Sequence, residues 1–179
     1  MAIGYLFYNK VIVPDINDAL KIYERGYFGK PYGIKKPKGE FKSPLELALV
    51  EALYLMEKGI LKVRFNGKEM TYDELKDHSV RVIGNFLPNY IVYKDLRDNG
   101  LVVKSGIKFG ADYAVYRIAP GKEHAPFLVE VLVENQKLSP SILISFGRVS
   151  HSVKKTLVLA LVNEKTMSVK YITFKWEKS

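Results

Sequence analysis

Cysteine is absent from the 179 residues, which excludes disulfides, thiolate zinc sites, iron–sulfur clusters and cysteine nucleophiles. Histidine is scarce: His78, His124 and His151 are the full set, too few for a histidine-rich metal site. Long apolar runs are missing as well. The longest, Leu157–Val162, falls far short of the ~20 residues that span a bilayer. The opening MAIGYLFYNK has no charged start, apolar core or small-residue cleavage site of a secretory leader. A soluble, cytoplasmic chain with no membrane contact is therefore expected. Phosphate-cradling loops are absent too, with no GxxxxGK followed by Ser or Thr and no GxGxxG after a strand. Nor does any spacing signature assemble a Ser/His/Asp triad.

What is present is positive charge. Lys and Arg number 28 against 19 Asp and Glu, a formal charge of +9. Residues 1–89 carry a balance of +3 and residues 90–179 a balance of +6. Such an excess favours a polyanion, because each neutralised phosphate releases counterions. With 47 % hydrophobic and 26 % charged residues, the chain reads as globular, one large domain or two small ones.

Turn and cap signals divide it. Residues 5–8 and 11–13 read as strands joined at Asn9-Lys10, and residues 15–25 as a short helix. Gly26 to Lys42 is rich in Gly, Pro and Lys and reads as a loop; its lysines from Lys35 to Lys42 suit either a solvated surface or a grip on RNA. Ser43-Pro44-Leu45-Glu46 has the pattern of a helix start and predicts a buried helix running to Gly59. A strand over 60–65, a hairpin turn at Asn66-Gly67 and a capped helix opening at Thr71 follow. Pro88 is expected to end that helix, and another runs from Asn89 to about Asn99.

Beyond Gly100 the pattern turns β-rich. Strands are expected at 101–104, 112–118, 127–133, 156–163 and 168–176. A helix over 139–155 would put Arg148, His151 and Lys155 on one face. The organisation read from these signals is an α+β N-terminal domain, 1–86, and an α/β C-terminal domain, 87–179, the latter carrying a mixed sheet.

Two chemistries suit the C-terminal half. Asp112 and Glu130, on adjacent expected strands, could begin a carboxylate pair for Mg²⁺. The lysine that usually follows the second acid by two residues is replaced by Leu132. Metal-free RNA cleavage instead needs a base for the ribose 2′-OH, an acid for the 5′-oxygen and a cation for the crowded phosphate. Histidine suits the acid, with a reference pKa of about 6.5, and lysine the cation; tyrosine needs an adjacent cation to serve as base. Tyr116 and His124 flank the loop 117–123, and Lys155 lies where helix gives way to strand. All three can meet at one sheet edge. Taken singly, Tyr116 also suits a half-buried strand aromatic and Lys155 an ordinary helix-end lysine.

The motifs Tyr93-Lys-Asp-Leu-Arg-Asp-Asn-Gly100, Val103-Lys-Ser-Gly106, Lys108-Phe-Gly-Ala-Asp-Tyr-Ala-Val-Tyr116 and Arg148-Val-Ser-His-Ser-Val-Lys-Lys155 resemble the core of the archaeal tRNA-splicing endonucleases. Leu49-Val-Glu-Ala-Leu-Tyr-Leu-Met-Glu-Lys-Gly59 is similar to that family's N-terminal signature. The resemblance implies a restriction-endonuclease-like catalytic domain, with Tyr116 as base, His124 as acid and Lys155 as the phosphate-stabilising cation. It implies that Arg148 holds an RNA base, while a surface ion pair is the plainer role for that arginine. His151 reads as structural, His78 as a surface residue, and Asp112 as fixing a turn or pairing with a cation.

The implied reaction is excision of introns from precursor tRNA at bulge–helix–bulge motifs. It leaves 2′,3′-cyclic phosphate and 5′-hydroxyl ends and uses no metal and no cofactor. The acidic docking loop of self-assembling members corresponds here to 134–140, which holds one acid, Glu134, and one lysine. The expectation is thus an α₂β₂ complex with a sister subunit rather than a homotetramer, with the last strand as a pairing edge. The alternative is that this chain is the structural, non-catalytic sister.

Overall fold

The computed structural model describes residues 1–35, 37, 39–137, 140–141, 144 and 155–174. Two compact units divide the chain, Met1–Phe86 and Leu87–Ser179.

In the first unit, strands β1 (Ala2–Phe7), β2 (Lys10–Val13), β3 (Lys30–Pro31), β4 (Leu45–Ala48), β5 (Leu61–Phe65) and β6 (Lys68–Glu69) form one sheet in the order β3-β4-β2-β1-β5-β6. Its one parallel contact is β1 with β5. Helices α1 (Ile16–Gly26), α2 (Leu49–Glu57) and α3 (Tyr72–Val82) accompany it. Local chemistry sets their starts. Asp15 caps α1 by accepting from the Asp18 N–H at 2.8 Å, and Thr71 with Glu74 forms a reciprocal box at α3. Asn66 and Gly67 both take positive φ, 49° and 79°, the tight-turn geometry that their residue types favour.

The expected helix start at Ser43 is corrected. Leu45–Ala48 is a strand, hydrogen-bonded between β2 and β3. Leu45 and Leu47 point into the core with no exposed surface, and Glu46 pairs with Lys10 at 2.9 Å on the other face. Cross-strand pairing and burial outweigh a local capping pattern. Helix α2 begins five residues later than expected, at Leu49. There the Glu51 carboxylate accepts from Ala48 N–H at 2.9 Å and from Gly29 N–H at 2.8 Å. Leu49, Leu53 and Leu55 are wholly buried, each stabilising by about 1.5–3 kcal/mol.

Helix α4 (Phe86–Asp98) starts at the last residue of the first unit and continues into the second, with Pro88 in its first turn. Pro88 was expected to precede a helix from Asn89; a proline near the start of a helix removes no intrahelical bond. The sheet has strands β7 (Val102–Ser105), β8 (Tyr113–Tyr116), β9 (Phe127–Val133), β10 (Thr156–Asn163) and β11 (Ser168–Phe174), in the order β11-β10-β9-β8-β7. Among the described strands of this sheet, β9 pairs with β10 in parallel and the other pairings are antiparallel, so the sheet is mixed. Most of the crossover between them, including Arg148 and His151, lies outside the described residues.

Strand alternation gives this sheet two distinct faces. One packs on α4: the Tyr113 hydroxyl donates to Asn89 O at 2.9 Å, and the Tyr93 and Tyr113 rings lie 5.9 Å apart. Arg97, buried, donates to the Tyr93 hydroxyl and to Val103 O. The other face carries Ala114, Leu128, Leu132, Leu157 and Leu159, with Tyr116 and Phe109 packed against them. No helix among the described residues is long and apolar enough to cross a membrane.

Candidate active site

The site lies on that second face, where β8 ends and β10 begins. Tyr116 is the last residue of β8 and shares its face with Ala114, because alternate residues of a strand point the same way. The loop that follows is tied back on itself. Ala119 O accepts from the N–H groups of Lys122 and Glu123, and the Glu123 carboxylate accepts from Ile118 N–H. His124 is exposed and precedes the strand rather than starting it, since β9 begins at Phe127.

Lys155 stands immediately before β10. Its ammonium donates to Ala125 O, the carbonyl next to His124, and Thr156 N–H donates to Pro126 O at 3.0 Å. Two bonds thus seat the lysine against the histidine-bearing loop. Its Nζ also lies 5.0 Å from the centre of the Phe109 ring, and Lys108 Nζ lies 4.7 Å from the same ring. Phe109 comes from a 3₁₀ turn at Ile107–Phe109 that starts at Gly106. A side chain at Gly106 would meet Ala111 O at 2.7 Å and the Tyr113 backbone at 2.8 Å, so only glycine lets that turn lie on the sheet.

Charge at the site is unevenly balanced. Burial pushes the Lys155 ammonium below its ordinary value, and the neighbouring Lys108 charge adds to this. Two cations facing one ring repel each other, and a phosphate between them would relieve that repulsion. Tyr116 moves the other way from what a base requires. Burial raises its phenol, and the Glu123 carboxylate raises it further. The adjacent charged group is an acid, where sequence reasoning asked for a cation.

Asp112 and Glu130 do come together. Asp112 accepts from Val131 N–H at 2.8 Å. Glu130 is pushed up to about 7 by burial first and by Asp112 second, and one of its oxygens has no hydrogen-bond partner among the described residues. No third acid, histidine or cysteine joins them among the described residues. Asp112 was expected to fix a turn or meet a cation; its neighbour is another carboxyl. His78, expected as an unpartnered surface residue, donates to Tyr8 O at 2.6 Å and ties α3 to the β1–β2 turn. Lys108, Phe109 and Glu123 were missed from sequence. Lys108 and Phe109 stand inside a quoted motif, whereas Glu123 carried no signal.

Residues 86–171 match the tRNA intron endonuclease catalytic C-terminal domain, and residues 2–76 match the same family's N-terminal domain. The chain belongs to the tRNA intron endonuclease family. It is 48 % identical over 173 residues to a tRNA-splicing endonuclease of Saccharolobus islandicus, covering 95 % of each chain. The same identity relates it to a tRNA-splicing endonuclease of Saccharolobus solfataricus over 173 residues. It also holds for one of Sulfurisphaera tokodaii over 178 residues, 98 % of this chain and 99 % of that one. As a member of this family the chain is an endonuclease of tRNA splicing, and its substrate class is precursor tRNA. The candidate residues lie within the matched catalytic domain.

Proposed function

We propose that this chain is the catalytic subunit of a metal-independent tRNA-splicing endonuclease that cuts at bulge–helix–bulge motifs. The observation that carries the reading is the seat of Lys155, bonded to the carbonyl beside His124 and sharing the Phe109 ring with Lys108. That arrangement gathers positive charge suited to a phosphate, next to the histidine-bearing loop and with a tyrosine on the same sheet face.

The ribose 2′-oxygen attacks the adjacent phosphorus, and the phenolate form of Tyr116 takes its proton. Lys155 stabilises the extra charge on the non-bridging oxygens. The P–O5′ bond breaks as His124 gives a proton to the departing oxygen, leaving a 2′,3′-cyclic phosphate and a 5′-hydroxyl. Arg148 stacks on an unpaired base at the cut. The two domains, 1–86 and 87–179, divide the labour, with a restriction-endonuclease-like fold in the second.

The assembly is an α₂β₂ heterotetramer with a structural sister. The single acid of loop 134–140 supports this, because Glu134 is already bonded to Lys170 at 2.9 Å and to Asn163 at 2.6 Å. It is not on offer to a partner's basic cleft. The β11 edge, with Ile172 and Phe174 exposed, suits pairing between subunits.

The test is incubation of the chain, alone and with a sister subunit, with a bulge–helix–bulge RNA in EDTA, followed by end-group analysis. Cyclic-phosphate ends only with the sister present are expected. Cuts by the chain alone would overturn the heteromer, and loss of cutting in EDTA would overturn the metal-free mechanism. One observation favours a second reading, that of a non-catalytic sister: Tyr116 is held neutral beside Glu123. Single alanine replacements of Tyr116, His124 and Lys155 separate the two, since a scaffold would lose no activity.

A further inference from the structure

The six-stranded sheet of the first unit has one face packed and one open. Leu6, Val11, Val13 and Val63 are buried on the packed side, where α1 and α2 contact the strands. The alternate residues of the central strand β1 stay in solvent: Tyr5 is 39 % exposed and Phe7 57 % exposed. Neither ring stacks on another among the described residues.

Register places a cation beside each aromatic. Phe7 is opposite Lys10 on β2, and Tyr5 is opposite Arg64 on β5, with Ile12 on its other side. Lys62 flanks Ile3 on the same face. Lys10 and Lys62 are each matched by a surface carboxylate, Glu46 and Glu69. Arg64 and Lys30, which shares the face through its register with Glu46, are in no salt bridge among the described residues. The face therefore keeps a positive surplus around two solvent-facing rings.

We propose that this open face is a stacking platform for single-stranded RNA, holding unpaired nucleotides of the precursor. Tyr5 and Phe7 are two residues apart on one strand, about 7 Å, a spacing that consecutive splayed bases can bridge. Aromatic faces bind any base, and neighbouring Arg and Lys receive the phosphates. A protein-docking face would bury a continuous apolar surface. Here the apolar strip of Ile3, Tyr5, Phe7 and Ile12 is narrow and bordered by four cations, Lys10, Lys30, Lys62 and Arg64, against two carboxylates, Glu46 and Glu69, and the occupant that matches is a polyanion with planar groups. The inference goes beyond the catalytic reading and does not depend on it.

The experiment measures binding of a labelled single-stranded oligouridylate to the full chain, comparing wild type with the double variant Tyr5→Ala and Phe7→Ala and with Arg64→Glu. All three positions are exposed or at the surface, and unchanged thermal midpoints verify folding. Loss of one stacking ring is expected to weaken binding about tenfold, the double variant more, and Arg64→Glu weakens it with a shallower salt dependence. Ultraviolet cross-linking of a thiouridine-substituted strand is expected to label the β1 peptide. Unchanged affinity with no label on β1 overturns the proposal. So does unchanged affinity accompanied by loss of a subunit from the sedimenting complex, which would make the face a protein interface. Cleavage of a minimal bulge–helix–bulge hairpin, measured in parallel, is expected to be unaffected, so failure of the platform and failure of the catalytic assignment read out separately.

Discussion

Replacing Glu130 by Gln should stabilise the C-terminal unit at neutral and alkaline pH. In the folded chain this carboxyl is pushed up from 4.5 to about 7, by burial and by the neighbouring Asp112. A rise of that size corresponds to about 3.4 kcal/mol between the two protonation states. Solvent screening at a partly exposed group reduces this to about 1.5 kcal/mol. The sign follows from proton binding. Between pH 4.5 and 7 the folded state holds a proton that the unfolded state has released, so stability falls as pH rises through that window. Above it the folded chain carries two facing carboxylates. Glu130→Gln removes the second charge, and its amide can donate to Asp112. Thermal unfolding from pH 4.5 to 8.5 should show a declining wild-type midpoint. The variant should be flatter across that range and about 5 °C or more higher at pH 8. A wild-type midpoint that climbs between pH 5 and 7, or a variant that melts lower at pH 8, would refute the reasoning.

Three further outcomes are expected. Lys108→Ala removes a positive charge beside Lys155, so the ammonium should recover part of its ordinary pKa. The alkaline limb of the cleavage profile should move to higher pH, and a weakened phosphate grip should raise KM several-fold. Glu123→Gln should lower the Tyr116 phenol pKa, because one of the two causes that raise it is removed; ultraviolet titration against a Tyr116→Phe control reads this directly. Glu51→Ala should cost about 2–4 kcal/mol in urea unfolding, since the Gly29 and Ala48 N–H groups lose their shared acceptor.

Most of the strand and helix order is legible in the sequence because turn chemistry punctuates it. Asn66-Gly67 and the Thr71–Glu74 box act locally and act as read. Leu45–Ala48 misleads because its flanking Ser43-Pro44 and Glu46 have helix-start chemistry, while its strand identity comes from partners 14 or more residues away. No local rule contains that pairing. The site divides in the same way. Tyr116, His124 and Lys155 announce themselves by chemical type, and Lys155 meets the histidine loop through backbone that only the parallel ladder brings close. Phe109 and Glu123 have no reactive role of their own. Their parts, one a ring that two ammonium groups share and the other a tie across a loop, exist only in three dimensions. Arg148 and His151 fall outside the described residues, and their roles rest on the sequence motif.

The joint between Pro126 and Thr156 has a consequence for how the chain matures. It is the first rung of the parallel pairing of β9 with β10, a contact between segments about thirty positions apart, and such closures are slow steps in assembling a sheet. The same joint seats Lys155 beside the histidine loop. A chain that has formed its hairpins and helices but not this rung lacks both the centre of its sheet and the seat of Lys155. Assembly of the candidate site is therefore tied to the closing of the sheet.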